Sequence, residues 1–262
     1  MRLSFLRSCV TIASLLFVSS IGTAQTVYSP DVTRVFVSGF LGMNQNTNIG
    51  EFRTDCDCLF EGGFNLTNIG AQIGADITYA WSPSWAVKAK VFYDNKHTDT
   101  QYERDISTPI ATGEIVSIED VTYNEIGDVS LSYLTVGLFA RWQPRLARWY
   151  VFVGPAVGVP LTTKVRHNQE IVDSELSYRE LLDTKREVST GEFDGILRLE
   201  GMVGFGYDYI VRPRWYINPE IRFGYPLTKI TETIRDRGKD IPIDDWKVMS
   251  VQLSIGLKYE AF

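Results

Sequence analysis

Ten charged residues recur at alternate positions in runs whose other positions are apolar: Asp76, Lys88, Lys90, Arg141, Arg198, Glu200, Asp208, Glu220, Arg222 and Lys258. Six are basic and four acidic. Each stands on the face opposite a row of apolar side chains, so all ten converge on whatever space that face encloses. Opposite charges gathered in a confined space must pair, because an unpaired buried charge costs several kcal/mol. Two chemistries fit: a structural salt-bridge network, or a path for an ion or small polar solute. Glu220 and Arg222 are expected to find opposite charges on neighbouring strands, with Arg198, Glu200 and Lys258 as the candidate partners.

Other reactive residue types are sparse. His97 and His167 are the two histidines. Both fall in polar stretches that read as loops, and both are expected to be exposed. No Ser or Asp is placed by spacing to act with either in acyl chemistry. There is no phosphate loop, nucleophile elbow or nucleotide fingerprint, so no cofactor is expected and no catalytic residue is assigned. Cys56 and Cys58 lie in Asp55-Cys56-Asp57-Cys58. A disulfide across one residue is strained but compatible with an oxidising compartment. Free thiols are the second reading. A thiolate metal site is the third, although no His or second Cys pair completes one.

The chain begins with an export signature. Arg2 and Arg7 form a positive region, Cys9 to Val18 is an apolar core too short to span a bilayer, and Gly22 and Ala24 precede Gln25 as small residues at a cleavage site. Residues 1–24 are therefore read as a signal peptide and 25–262 as one domain. The formal charge is −6. Losing two arginines makes the exported chain more acidic still, which excludes a general nucleic-acid binder.

The elements that must position the charges are strands. From Ile69 to Tyr79 the odd positions are apolar or aromatic and the even ones polar or glycine. That is the period of a strand with two unlike faces. Trp81-Ser82-Pro83-Ser84 breaks the run, and Trp85, Val87, Ala89, Val91 and Tyr93 resume it. The same alternation predicts strands over about 33–43, 127–142, 148–159, 194–209, 215–225 and 248–262, eight in all. Phe36 and Phe40 fall on the polar side of the first strand, and Tyr150 and Phe152 on that of the fifth. Pro155 in that fifth strand predicts a bulge or a missing hydrogen bond. Connections alternate long and short. The long ones, 44–67, 94–126, 160–193 and 226–245, read as polar loops, with Leu176, Leu181 and Leu182 able to form a short helix in the third.

The polar face mixes glycine with opposed charges, which suits a crowded interior, so the apolar face looks outward into lipid. Strands of about 10 residues with short turns at one end and long loops at the other define a transmembrane barrel. Trp81, Trp85, Trp142, Trp149 and Trp215 all flank the three short turns, and Trp246 sits at the far end of the last strand. Aromatic girdles at the two membrane interfaces predict that placement. The architecture expected is all-β: an eight-stranded antiparallel up-and-down transmembrane barrel.

With this rhythm, the export signal and the last strand Val248 to Phe262, the chain resembles the outer-membrane β-barrel superfamily of OmpA-like and porin-family transmembrane domains. The loop Asp55-Cys56-Asp57-Cys58-Leu59-Phe60-Glu61-Gly62-Gly63 is similar to that of outer-membrane proteins of the Bacteroidota and Chlorobiota. The terminal phenylalanine is similar to the signal read by the barrel-insertion machinery, although Phe262 is out of phase with Leu257 and Tyr259. The resemblance implies a bacterial outer-membrane location, lipid and the insertion machinery as partners, and a monomer. Its function would be non-enzymatic: membrane integrity, surface interaction through four external loops, or limited solute passage through a mostly plugged lumen. The alternatives are a soluble lipocalin-like barrel holding a lipophilic ligand, which needs the apolar faces inward, and an outer-membrane lipid-modifying enzyme.

Overall fold

The computed structural model describes residues 33–53, 59–61, 64–112, 115–172, 184–236, 239–243 and 245–261. In chain order its strands are β1 (Arg34–Ile49), β2 (Glu51–Arg53), β3 (Leu59–Glu61), β4 (Phe64–Ala80), β5 (Trp85–Asn95), β6 (Thr98–Thr112), β7 (Ile115–Trp142), β8 (Trp149–Ile171), β9 (Lys185–Glu192), β10 (Arg198–Tyr207), β11 (Tyr209–Arg212), β12 (Trp215–Pro226), β13 (Thr233–Asp236), β14 (Lys239–Pro242) and β15 (Lys247–Glu260). Eight of them close on themselves in the order β1, β4, β5, β7, β8, β10, β12, β15, every neighbour antiparallel. Closure removes the unpaired strand edges that lipid would not tolerate.

The side-chain alternation sorts cleanly across the wall. Leu41, Ile73, Val91, Val136, Val153, Val203, Ile221 and Leu253 point outward and are exposed, while the ten charged residues named above point inward and are buried. A soluble barrel with a lipophilic ligand inside is thereby excluded, since the apolar rows are on the outside. Phe36 and Phe40, and Tyr150 and Phe152 on β8, are all buried in the lumen. Pro155 does not make a bulge. The β7–β8 ladder pairs Gly137 with Ala156 and Ala140 with Val153, keeping one register on both sides of the proline. A hydrogen bond is missing there, as the absent proline N–H requires.

Tight connections lie at one end. Ser82 Oγ accepts from the backbone amides of Ser84 (3.3 Å) and Trp85 (3.0 Å), which closes the β4–β5 turn. Leu146 and Arg214 take positive φ (67° each) to close the other two. At the opposite end Gly50 has φ +84°, and a Cβ there would meet the Asp245 carbonyl oxygen at 1.5 Å, so only glycine fits.

At that end the stretches expected to be loops are largely strand. β7 has 28 residues and β8 has 23, far more than the 9–11 a membrane strand needs. The exposed apolar row of β7 begins only at Leu134. Beyond it, β6 pairs with β7 from Thr98 to Thr112, β9 pairs with β8, and β13 meets β9 through Arg235 and Glu192. The overshooting strands thus form a sheet that extends past the exposed apolar rows of the ring. Its residues alternate in burial but carry charged groups on both faces, so no lipid-facing apolar row marks them in the sequence. The short helix around Leu176, Leu181 and Leu182, the residues Cys56 and Cys58, Phe262 and the signal peptide all lie outside the described residues.

Candidate functional site

Each inward charge stands where its strand's period puts it, and the lumen fills in three levels. Nearest the short turns, Asp208 receives Arg141 (2.6 Å) and Lys258 (2.8 Å), and Asn218 donates to its other oxygen (2.9 Å). The Arg141 guanidinium stacks 3.8 Å over the Tyr150 ring, and Lys258 sits 4.4 Å from the Phe36 ring centroid. At the middle level Glu220 is held between Lys88 and Lys90, and Tyr150 donates its hydroxyl to the same carboxylate (2.5 Å). Asp76 lies 3.4 Å from Lys88 and 3.7 Å from Lys90. Above them Arg222 donates to Gln72 and lies against the Phe40 and Phe92 rings. Arg198 pairs with Glu200 and donates to the Val248 carbonyl (2.9 Å).

These pairings correct one expectation. Arg198, Glu200 and Lys258 were the candidate partners of Glu220 and Arg222, but Glu220 takes Lys88 and Lys90, while Arg198 and Glu200 take each other. The reason is height in the barrel. Asp76 faces Lys90 in register on β4 and β5, and the long lysine side chains cross the axis to β12. Sequence spacing fixes which face a residue occupies but not how far it reaches.

Several lumen residues escaped the sequence reading. Asp94 accepts from Asn44 and pairs with Lys96 (2.8 Å), whose ammonium also donates to Ser250 (2.8 Å). Asp94 falls on the polar face with Lys88 and Lys90 but stands outside the charge network read from the sequence, because the loop reads as beginning there, and Lys96 falls wholly within that loop.

Trp246 is the second correction. It is not part of an outward aromatic girdle. Its side chain is fully buried, packed with Phe60, Leu131, Phe193, Ile234 and Val248 in an apolar cluster over the far end of the lumen. Its Nε1–H donates to Asn48 Oδ1 (3.2 Å). By contrast Trp81, Trp85, Trp142 and Trp215 are exposed and Trp149 is half-buried at the short-turn end. Trp142 meets Trp149 edge-on (5.8 Å), and Trp149 stacks near Phe205 (6.1 Å).

The histidines need a third correction. His97 is partly exposed, 3.5 Å from Asp128, but His167 is buried. Its Nε2 lies 2.7 Å from Glu125 Oε2, Gln169 donates to Glu125 Oε1 (2.8 Å), and the Phe60 ring closes over it. This cluster belongs to the extended part of β7 and β8, past the exposed apolar row. Burial by itself pushes the Glu125 carboxyl up, but the His167 and Gln169 hydrogen bonds and the charges of His167 and Arg104 outweigh it and hold the group below its ordinary value. A group with a depressed folded value stabilises fully above its unfolded value and loses that contribution as pH falls through the folded one. Acidification through and below the ordinary carboxylate range should therefore open this sheet, with faster hydrogen exchange in 121–131 and 163–171. Glu125→Gln should abolish that acid response, and a response that survives the substitution would clear Glu125 of the role.

Among the described residues no group of three or more His, Cys, Asp or Glu is placed to hold a metal. A closed eight-strand ring with apolar residues outside and charges inside is an outer-membrane barrel. The family comparison agrees: a family described as outer membrane protein beta-barrel domain matches residues 23–232, and the chain belongs to it. It is a protein of the bacterial outer membrane. No curated protein matches. Among solved structures it is similar to AlkL determined in lipid bilayers (15% identity, covering 91% of this chain and 95% of that one, TM-score 0.38). It is also similar to OprG from Pseudomonas aeruginosa (11%, 88% and 96%, 0.37) and to Ail of Yersinia pestis (12%, 86% and 98%, 0.32).

Proposed function

We propose that the protein is a non-enzymatic, monomeric barrel with a closed lumen, whose role is to hold the β6–β9 and β13–β14 sheet at the cell surface for membrane integrity and surface contact. The short turns face the periplasm, and Trp81, Trp85, Trp142, Trp149 and Trp215 sit at that interface as its girdle. The observation that carries the reading is the interlocked lumen. Glu220 on β12 meets Lys88 and Lys90 on β5 across the axis, with aromatic rings between the charged levels. An eight-strand barrel is only wide enough for side chains to fill it, and the Trp246 cluster covers one end. Planar-bilayer recording of the purified monomer should give no stable, large conductance. Reproducible porin-sized openings in a preparation free of other porins would defeat the closed-lumen reading. Small flickering currents altered by neutralising Glu220 would favour an ion path.

A further inference from the structure

The short-turn end is asymmetric. The β4–β5 turn, Trp81-Ser82-Pro83-Ser84, carries no charge. The other two turns, which lie side by side because β8 pairs with β10, carry Arg145, Arg148, Arg212 and Arg214. Arg145, Arg212 and Arg214 are exposed and Arg148 is half-buried. Among the described residues none of the four side chains makes a hydrogen bond or ion pair. The two acids described at this end are already engaged: Asp208 turns inward to Arg141 and Lys258, and Glu260 pairs with Arg34 (3.4 Å) and accepts from Tyr216 (2.9 Å). On a chain of net charge −6, one sector of the rim therefore presents four uncompensated guanidinium groups.

That sector is also built for the bilayer surface. Arg148 and Arg214 immediately precede Trp149 and Trp215, and Trp142 packs on Trp149. Leu146, 95% exposed, projects at the tip beside Arg145, and Val211 is exposed beside Arg212. Indole rings favour the headgroup level, and a guanidinium forks onto phosphate oxygens. We infer that the Arg145–Arg148–Arg212–Arg214 sector binds the phosphate headgroups of anionic phospholipid in the periplasmic leaflet. The leaflet rests on the reading that the short turns face the periplasm, while the headgroup preference does not. An acidic soluble protein would need the charges but not the flanking tryptophans and leucine at membrane depth, so lipid is the occupant favoured.

The test uses the purified, delipidated full barrel in neutral detergent, titrated with dihexanoyl-phosphatidylglycerol and dihexanoyl-phosphatidylcholine. Each basic residue near an anionic surface contributes a severalfold gain, so dihexanoyl-phosphatidylglycerol should bind at least about tenfold more tightly than dihexanoyl-phosphatidylcholine. Added salt should erode the preference, and the variant Arg145→Gln/Arg148→Gln/Arg212→Gln/Arg214→Gln should lose it while keeping the wild-type heat-modifiable gel mobility. If that variant fails to fold, the salt titration of the wild type decides alone. Equal binding of the two lipids, or a preference that survives the four substitutions, would overturn the inference. Full displacement by inorganic phosphate would reduce the site to a simple anion site, and full displacement by hexaglutamate would reassign it to an acidic protein; either overturns the lipid assignment. Orientation is read separately, by labelling Leu146→Cys, in a Cys56→Ser/Cys58→Ser background so that no native thiol reacts, with a membrane-impermeant maleimide. Labelling of intact cells would refute the periplasmic placement and leave the detergent result to stand on its own.

Discussion

Glu220→Gln should destabilise the barrel by about 3–5 kcal/mol, the usual cost of leaving one side of a buried ion pair uncompensated. Glutamine has nearly the same shape as glutamate, so packing changes little and the loss is electrostatic. The wild-type carboxylate sits between two ammonium groups and accepts a third contact from Tyr150. Without it, Lys88 and Lys90 share only Asp76, at 3.4 and 3.7 Å. Urea unfolding from phospholipid vesicles, followed by heat-modifiable mobility, measures the difference. The exposed pair Arg235–Asp240 supplies the contrast: Arg235→Gln should leave the unfolding midpoint essentially unchanged because water screens the pair. Adding Lys88→Met to Glu220→Gln should recover part of the loss, since one orphaned cation is removed. A Glu220→Gln barrel as stable as wild type would mean that the lumen is hydrated enough to replace the carboxylate.

The ring was legible in the sequence because lipid on one side and a crowded polar space on the other enforce strict alternation. Val87, Val203 and Leu253 could be assigned outward, and Lys88, Glu200 and Arg222 inward, from period alone. The legibility ended where lipid ended. Above Leu134, β7 has water on one side and a packed but charged interior on the other. Asn124, Glu125 and Asp128 there look like a loop, and His167 on β8 looks exposed when it is sealed under Phe60. Trp246 shows the same limit. A tryptophan near a strand end suits an interfacial girdle, yet this one lies on the inward phase with Val248 and is fully buried. The pairings inside the lumen were also out of reach, because register across a closed ring decides which charges share a level.

Val203→Arg should cost about 2–4 kcal/mol if that residue contacts the middle of the bilayer, where a basic side chain on the lipid face is most expensive. Val203 on β10 is 49% exposed and pairs in register with Val153 on β8 and Phe223 on β12, both of which also face outward. An arginine there has no acid within the apolar band and must stretch toward the interface or draw water into the lipid. Gly204, the next residue, cannot relieve this by turning the strand, because a side chain in its inward position would collide with the Phe152 ring at 2.3 Å. Ile118→Arg is the matched control. Ile118 is more exposed, at 77%, but lies on β7 well above Leu134, where water replaces lipid, and its substitution should change stability by less than ~0.5 kcal/mol. Both variants are compared by urea unfolding in bilayers of one thickness. Equal costs at the two positions would show that the bilayer does not end where the apolar row of β7 ends. No cost at Val203 would mean that the outward face of β10 does not touch lipid at all.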